Sequence, residues 1–411
     1  MPKTQSTAVR RLQRWAPPFV YEVLSGLARA GGQGFLVGGV VRDAFLNRRG
    51  ADWDIATDLT PDRVAESFPR VARTGEKHGT ILVIDAGGEN GVEVTTFRGE
   101  GPYLDGRRPS FVEFHQEIHQ DLARRDFTMN AIAADLVAGN VEDPFRGIGD
   151  IEAKCIRCVG DPLARFREDG LRPLRAVRFA STLSFIVHPG TEAALGAAME
   201  VFEKVAWERK RVELEKLLLG AAVRESVALL GRSGLLGAMA PELSERVNLD
   251  PLVRLPTDAW LRFTEWGLAC GLDADALGDL AQRFRASTAT RKRVQGWANA
   301  ARLLPGPVDG AAFRRWLAAV GVDAARGAIE IQRARGGDAD WYARSLRKLR
   351  RPPPHRVLDL AVSGADLQAL GITGPRVGYI LRVLLERVIE SPARNRKAVL
   401  LKVAHTLSTE T

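Results

Sequence analysis

The chain is poor in cysteine and aromatic residues, and it has no long apolar segment. Only 3 of its 411 residues are cysteine, and 7% are aromatic. Three cysteines are too few for the disulfide framework of a small secreted protein, and they favour a reducing compartment. No apolar run approaches the roughly 20 residues of a membrane-spanning helix, and the basic N-terminus lacks the apolar core of a secretory signal. We therefore expect a cytoplasmic protein without a membrane partner.

Two of the cysteines, Cys155 and Cys158, form a CxxC pair. A structural zinc site would need a second pair of ligands, and the third cysteine, Cys270, has no histidine or cysteine close to it in the sequence. A redox motif usually begins a helix, whereas the surrounding segment KCIRCVGD is typical of a short strand. We therefore expect both cysteines to be structural.

Basic residues outnumber acidic ones. Lys and Arg total 59 against 50 for Asp and Glu, which gives a formal net charge of +9. This excess agrees with a polyanionic partner, although net charge alone does not require one. The length predicts two to four domains, and 45% hydrophobic residues can build a sizeable core.

The most informative stretch is residues 35–57, FLVGGVVRDAFLNRRGADWDIAT. A short apolar strand is followed by Gly38 and Gly39 and then by a helix that carries Arg42 and Asp43. Two glycines before a helix let backbone N–H groups approach a phosphate closely, and the helix dipole favours the negative charge. This part of the pattern predicts a phosphate-binding turn.

The chain then returns as the triplet Asp52-Trp53-Asp54. In a strand, residues two apart point to the same face, so both carboxylates would lie side by side. Adjacent carboxylates repel each other, and a divalent cation that prefers oxygen ligands would neutralise them. The alternative is a glycine turn followed by two solvated acids at an edge strand, because a DxD triplet alone is a weak signal.

Alternating strands and helices continue to about residue 154 and predict an α/β unit. The segment GVEVTTFR is a predicted strand with Glu93 on one face. An irregular, glycine-rich loop follows, in which Arg107 and Arg108 either meet a phosphate chain or face solvent. The segment DLARRDFTMNAIAADL then predicts a turn into a helix, and its simplest interpretation makes Asp126 the helix cap.

From about residue 162 the pattern is almost entirely helical. Within residues 167–185, charged residues recur at intervals of three and would lie close to one helix face: Asp169, Arg172, Arg175 and Arg178. Such an arginine row needs anions or bases to neutralise it, and a surface ladder of salt bridges is the alternative. Pro173 is compatible with this helix if the regular helix begins near residues 170–172.

The chain resembles the class II tRNA nucleotidyltransferases, which are the CCA-adding enzymes related to bacterial poly(A) polymerases. The motifs that carry the resemblance follow in order: GGVVRD, DWD, HGTILV, VTTFR, DGRRP, DLARRDFTMNAIA, DPFRG, VGDPLARFREDGLRPLRAVRFA and ERKRVELEKLL. They span about residues 34–220, roughly half of the chain. The helices beyond this range match only in character.

The resemblance implies an α+β fold. It comprises a polymerase-β-like nucleotidyltransferase head, with a mixed sheet and flanking helices, followed by an all-helical neck, body and tail. The implied boundaries are 1–154 for the catalytic head, 155–222 for the neck with its base-recognition helix, 223–350 for the body and 351–411 for an RNA-binding tail.

The resemblance also implies the chemistry. Asp52 and Asp54 would bind two Mg²⁺ ions that activate the RNA 3′-hydroxyl for attack on the α-phosphorus, and Glu93 would be the third carboxylate. CTP, ATP and tRNA are the implied substrates. The residues expected to bind the nucleotide are Gly38, Gly39, Arg42, Arg125, Asp126, Asn130, Asp169, Arg172, Arg175 and Arg178.

Three alternatives to full CCA addition are considered. Addition of the terminal A alone is open, although the loop GEGPYLDGRRP resembles the one that A-adding relatives possess. A poly(A) polymerase is less favoured. Those enzymes resemble one another in a basic segment soon after the DxD triplet, whereas this chain has TGEKHGTILV at that place, which resembles the tRNA enzymes. A catalytically inactive RNA-binding protein would have no reason to keep Asp52, Asp54, Asp169 and Arg172.

Overall fold

A computed structural model describes residues 3–50, 52–76, 79–100, 112–304, 306–308 and 310–409. The chain divides into two compact units, Met1–Pro241 and Glu242–Thr411. The first unit contains every predicted site residue. The finer division into head, neck, body and tail stays a prediction. None of the helices in the described ranges combines the length and apolar character that a bilayer span requires.

The strands of the described residues all lie in the first unit. In chain order they are β1 Gly34–Val37, β2 Asp54–Thr57, β3 Val71–Gly75, β4 Thr80–Ile84, β5 Gly91–Thr96, β6 Arg98–Glu100, β7 Val112–Phe114, β8 Ala133–Asp135, β9 Asn140–Glu142, β10 Cys155–Ile156 and β11 Ile186–Val187.

Seven of these strands form one mixed sheet in the order β3-β4-β5-β2-β1-β8-β9. Its only parallel neighbours among the described strands are β2 and β5, and their register sets Asp54 opposite Glu93. The apolar residues of β1 and β2 are buried, as expected for central strands. The predicted mixed sheet is therefore confirmed, and it carries the acidic residues at its centre.

The helices of the first unit flank this sheet and then follow it: α1 Lys3–Trp15, α2 Pro18–Arg29, α3 Gly39–Phe45, α4 Pro61–Ser67, α5 Ile118–Ala123, α6 Gly147–Glu152, α7 Pro162–Glu168, α8 Arg172–Leu183, α9 Pro189–Ala194, α10 Met199–Glu203, α11 Trp207–Leu219, α12 Val223–Arg232 and α13 Leu235–Met239. Helix α1 was not predicted.

The second unit is helical throughout its described residues. Its helices are α14 Asp250–Arg254, α15 Ala259–Ala269, α16 Ala274–Arg283, α17 Thr288–Leu303, α18 Gly310–Val320, α19 Val322–Ala334, α20 Ala339–Lys348, α21 Gly364–Gln368, α22 Pro375–Glu390 and α23 Lys397–Thr409. One core cluster surrounds Trp297 and Trp341, and a separate one surrounds Leu367 and Leu384. The predicted α+β class is confirmed.

One predicted helix is wrong. The segment after Asp126 forms a 3₁₀ turn, Thr128–Asn130, and then enters strand β8. Residues 131–134, AIAA, are fully buried, and Ala133 and Ala134 pair with β1. A short apolar run of small residues fits a buried strand and a buried helix equally well, and here the sheet decides the outcome.

The predicted irregular loop after Phe97 is partly wrong as well. Residues Arg98–Glu100 form β6, which pairs with β7 in an antiparallel ladder. The remainder of that loop, including Arg107 and Arg108, lies outside the described residues. Strand β3 was not predicted, and the two-residue strand β11 lies in the region after residue 162 that was predicted to be almost entirely helical.

The predicted charged helix is interrupted at Asp169. Helix α7 ends at Glu168, Asp169 has an extended backbone, and α8 begins only at Arg172. Asp169 therefore does not share the face of α8, as the spacing of three had predicted. A Cβ atom on Gly170 would lie 2.5 Å from the backbone oxygen of Val201, so only glycine fits this break. The predicted helix start near residues 170–172 is confirmed, and Pro173 lies in its first turn.

Candidate active site

A cleft of about 620 Å³ in the first unit collects nearly all of the predicted site residues. Glu93 is the exception. The predicted residues that line the cleft are Gly38, Gly39, Arg42, Asp52, Asp54, Arg125, Asp126, Asn130, Asp169, Arg172, Arg175 and Arg178. Residues that are 140 positions apart in the sequence thus share one polar cavity.

Four further residues line the cleft and were not among the predicted site residues: Arg124, Phe179, Arg209 and Lys216. Arg124 and Phe179 adjoin predicted residues, but neither an arginine pair nor a helix phenylalanine marks a site by itself. Arg209 and Lys216 lie seven residues apart on α11, so they share one helix face. The spacing of seven could therefore have predicted from the sequence that both side chains point in the same direction.

The glycine turn has the backbone that the sequence predicted. Gly38 has a φ of +73°, in the region that favours glycine, and α3 begins at the next residue. A Cβ atom on Gly38 would lie 3.1 Å from Nη1 of Arg125. A side chain here would therefore crowd the cleft at its lining arginine.

Arg42 is fixed by two neighbours. Its Nε donates to Oδ1 of Asp43 at 2.9 Å, and its Nη1 donates to Oδ1 of Asn130 at 2.8 Å. Only 9% of Arg42 is exposed. The guanidinium group therefore has a set orientation before any ligand arrives.

The acidic pair lies at the start of strand β2. Asp54 is its first residue, and Asp52 precedes the strand, so the predicted strand begins two residues later than expected. Both side chains nevertheless line the cleft. Burial, followed by the charges of Glu93 and Asp52, raises the pKa of Asp54 to about 6, although Arg125 acts in the opposite direction. Asp54 therefore holds its proton more readily than an ordinary aspartate, and a bound cation would favour its ionised form.

A divalent cation fits this donor set. Mg²⁺ is usually bound through one or two carboxylates together with substrate phosphates and water. Asp52 and Asp54 supply two carboxylates at the cleft surface. Within the described ranges, no group of three or more His, Cys, Asp or Glu side chains is placed to hold a metal ion.

Asp126 lies at the centre of a buried polar network and is not a helix cap. Its Oδ1 accepts from Nδ2 of Asn130 at 3.0 Å and from the backbone N of Phe127 at 2.8 Å. Its Oδ2 accepts from Nε and Nη2 of Arg175 at 2.9 and 2.7 Å. Burial alone would raise the pKa of Asp126, but Arg175, Asn130 and Arg172 outweigh it and lower the pKa to about 2. The carboxylate is therefore ionised.

The two arginines before Asp126 share one buried acid. Arg124 and Arg125 each donate to Asp121, with closest distances of 2.7 and 2.9 Å. Burial would raise the pKa of Asp121, but the two guanidinium groups outweigh it and lower the pKa. Asp121 was not among the predicted residues, although its spacing of three and four on one helical turn was a usable signal.

The arginines of α8 are neutralised by carboxylates from three different elements. Arg172 donates to Glu168 at 2.6 Å and also to the backbone oxygen of Arg124. Arg175 pairs with Asp126, and Arg178 donates to the buried Glu213 at 2.8 Å. The alternative, a ladder of salt bridges on the surface, is wrong, because these pairs are at least half buried and the arginines line a cleft.

Asp169 faces the cleft from the break between α7 and α8. Its Oδ2 accepts from Nη2 of Arg209 at 2.8 Å, and its Oδ1 accepts from the backbone N of Leu171 at 3.0 Å. Asp169 and Arg172 are thus both held in place, one by α11 and the other by α7. Together they present an acceptor and a donor group to the same cavity.

The ring of Phe179 packs against three of the cleft arginines. The Cζ atoms of Arg178, Arg42 and Arg175 lie 3.4, 5.1 and 5.5 Å from the ring centroid. Phe127 contacts the same ring edge to face, with centroids 5.8 Å apart. Cations over an aromatic face are attracted by its quadrupole, and the attraction is stronger where water is excluded.

The CxxC cysteines lie apart from this chemistry. Cys155 and Cys158 are buried and form no disulfide. Burial raises the pKa of Cys158 to about 12, so its thiol stays protonated. A protonated, buried thiol is a poor nucleophile and a poor metal ligand.

The sequence of this chain matches two known protein families. Residues 34–157 match the family described as the Poly A polymerase head domain, and residues 184–246 match one described as a probable RNA and SrmB-binding site of polymerase A. The CCA-adding enzyme of Limosilactobacillus fermentum is 37% identical over 390 residues, which is 94% of this chain and 96% of that enzyme. The chain belongs to the CCA-adding enzyme family.

Other members of the CCA-adding enzyme family agree with this assignment. The enzyme of Levilactobacillus brevis is 36% identical over 384 residues, covering 92% of this chain and 95% of that enzyme. The crystal structure of the Bacillus stearothermophilus CCA-adding enzyme in complex with CTP matches with a TM-score of 0.80 at 30% identity, over 96% of this chain and all of that one. The resemblance recognised in the motifs is confirmed.

Proposed function

We propose that this protein is a template-independent tRNA nucleotidyltransferase that adds CCA to the tRNA 3′ end from CTP and ATP. One observation carries the proposal. A single cleft combines an acidic pair, a glycine turn and a set of fixed arginines. These are the groups that phosphoryl transfer needs for charge stabilisation and positioning. The similarity to CCA-adding enzymes, one of them in complex with CTP, supports the same activity.

Asp52 and Asp54 would hold the divalent metal, with two Mg²⁺ ions as the proposed complement. Bound there, the metal would supply charge stabilisation for the triphosphate and a more nucleophilic RNA 3′-hydroxyl. Burial, and then the charges of Glu93 and Asp52, raise the pKa of Asp54, and a cation bound here would offset both effects. Glu93, opposite Asp54 in the strand register, adds negative charge from the adjoining strand.

The triphosphate would lie against the glycine turn and the arginines beside it. Arg42 is oriented by Asp43 and Asn130, and Arg125 by Asp121. Guanidinium groups bind phosphate oxygens through paired donors, and fixed donors lose little rotamer freedom when they bind. Asn130 bonds to both Arg42 and Asp126, and we assign Asn130, Asp126 and Arg125 to the ribose.

Asp169 and Arg172 would choose the base. A carboxylate accepts and a guanidinium donates, so together they can match the donor and acceptor groups of the cytosine edge. A small rearrangement would match N1 and N6 of adenine. Arg175 and Arg178 would align the base and phosphates. The side chains thus take the place of a nucleic acid template.

The proposed partners are tRNA, CTP and ATP, and the predicted tail, residues 351–411, is proposed to bind the tRNA. The net charge of +9 favours association with a polyanion. We propose a cytoplasmic location, which the three cysteines without disulfides support.

The test uses three tRNA transcripts that end at the discriminator base, at C and at CC. Each is incubated with Mg²⁺ and with CTP, ATP or both, and the products are sized on a gel. Extension of all three to CCA is the expected result. Addition of one A to the CC-ended transcript alone would identify an A-adding enzyme, and a long A tail would identify a poly(A) polymerase.

A further inference from the structure

Four arginines on the surface of the first unit have no carboxylate partner. They are Arg10 and Arg14 on α1, and Arg48 and Arg49 directly after α3; we call them the arginine ledge. All four are exposed, and none forms an ion pair within the part of the chain that the structure describes. Some exposed arginines elsewhere in this unit do pair with acids, as Arg63 does with Glu66.

The ledge is a surface from which negative charge is missing. No acidic residue occurs before Glu22, and none occurs in residues 46–50, LNRRG. The protein therefore has no local means of neutralising the four charges. Arginines gathered in this way attract an external polyanion, and their planar donors suit phosphate oxygens.

Helix α1 is firmly docked, so its arginines have a defined direction. Ala8, Val9 and Leu12 are buried against the rest of the unit. Arg10 and Arg14 each follow a buried residue of this helix by two positions, at 100° per residue, and so lie on the opposite side. They point outward, whereas the buried face anchors the helix.

The two parts of the ledge meet at the end of α3. Arg11 on α1 donates from Nη1 to the backbone oxygen of Ala44 at 3.0 Å. The backbone N of Asn47 donates to the same oxygen, which places the following Arg48 and Arg49 beside α1. The ledge thus combines two segments that meet where α1 contacts the end of α3.

The ledge adjoins the cleft. Nη1 of Arg48 donates to the backbone oxygen of Thr182 at 3.5 Å. Thr182 lies on α8, one turn after Arg178, which lines the cleft. Through Arg48 the ledge therefore reaches a helix that lines the cleft.

We propose that the arginine ledge binds the sugar-phosphate backbone of the tRNA acceptor arm. This inference rests on the proposed function, because it takes the acceptor from that activity. The ledge contacts would not depend on the base sequence, since only phosphates are bound. They would strengthen tRNA binding and leave nucleotide binding unchanged.

The test replaces all four ledge arginines with glutamine and measures KM for tRNA, KM for CTP and the salt dependence of tRNA binding. The expected result is a rise in KM for tRNA of about tenfold or more and a fall of about 3 in the slope of log affinity against log salt. KM for CTP should not change, which also verifies that the cleft is folded.

A matched control removes the same charge elsewhere. The variant Arg63→Gln/Arg73→Gln loses two exposed, ion-paired arginines of the same unit that lie outside residues 184–246, and it is compared with Arg10→Gln/Arg14→Gln. The tRNA affinity and salt slope of this control should stay closer to those of the parent than the values for Arg10→Gln/Arg14→Gln do. Should the fourfold ledge variant fold poorly, Arg10→Gln/Arg14→Gln alone should lower the slope by about half as much.

Equal tRNA affinity and salt slope in the ledge variant and its parent would overturn the proposal. Equal losses in Arg10→Gln/Arg14→Gln and the matched control would do the same, because net charge alone would then explain them. A parent that adds no nucleotide yet loses RNA binding with the ledge would contradict the proposed function and support the ledge.

Discussion

Arg175 donates both Nε and Nη2 to one oxygen of Asp126, at 2.9 and 2.7 Å, across 49 residues of sequence. The pair joins helix α8 to the segment that follows α5. Asp126 also accepts from Asn130, which in turn accepts from Arg42. One carboxylate thus links the groups assigned to the triphosphate, the sugar and the base.

Breaking this pair should destabilise the protein. Asp126→Ala leaves a buried guanidinium group without its partner, and Arg175→Ala leaves a buried carboxylate. Each change should cost about 3 kcal/mol, since an uncompensated buried charge is expensive. The double variant should cost clearly less than the sum of the two single variants. Urea unfolding measures all four proteins, and strict additivity would contradict the coupling.

Acid should weaken the fold through the same carboxylate. The pKa of Asp126 lies near 2 in the folded protein, against an ordinary value of 3.8. The folded state therefore binds the proton less readily, and the stabilisation is present above about pH 4 and lost as the pH falls towards 2. It amounts to about 2 kcal/mol. Asp126→Asn should flatten the unfolding free energy across this range, and an unchanged slope would contradict the prediction.

Asp52→Ala should abolish transfer, by on the order of 10³-fold, and leave tRNA binding largely intact, because the acid serves the reacting phosphate. Asp62→Ala, which removes an exposed acid from α4, is the control and should retain activity. Turnover is measured with a CC-ended transcript and ATP. Near-normal turnover in the Asp52 variant would show that the metal assignment is wrong.

Asp169→Ala should impair the choice of base more than the affinity for triphosphate. A paired donor and acceptor contributes about 1–3 kcal/mol of discrimination, so selectivity for CTP and ATP over UTP and GTP should fall about 10–100-fold. Glu200→Ala, an exposed acid on α10, serves as the control. If competition assays give unchanged selectivity, Asp169 does not recognise the base.

Phe179→Leu should raise KM for CTP and ATP by about tenfold, because three guanidinium groups lose their aromatic contact. Phe179→Tyr keeps the ring and should restore the parent value. Phe97→Leu removes an equally buried ring that contacts Phe35, and it should affect stability without raising KM. Equal KM values for the leucine and tyrosine variants would exclude the cation–π role.

The sequence predicted most of the residues that line the cleft because each lies in a compact motif with its own physical signal. Gly38 and Gly39 precede a helix, the two aspartates flank a tryptophan, and the arginines recur every three residues. Their convergence could not be derived from the spacing alone. It depends on sheet order, which brings β2, β5 and β8 together from distant parts of the chain.

The errors have a common physical origin in tertiary pairing. The segment AIAA has the composition of a helix, yet β1 pairs with it and makes it a strand. Asp126 has the position of a helix cap, yet its carboxylate accepts hydrogen bonds from Arg175 on helix α8. Asp169 has helical spacing, yet Gly170 and the backbone of Val201 interrupt the helix beside it. Local propensity fails where a partner from elsewhere contributes more free energy.

The break at Gly170 bears on how this enzyme could be redesigned. Variants at positions 169 and 172 would alter the pattern of donors and acceptors, whereas a larger residue at position 170 would collide with the backbone of Val201. A library aimed at new nucleotide preferences should therefore randomise the two flanking side chains and keep the glycine. Most members that change the glycine would be lost to misfolding before any altered preference could be selected.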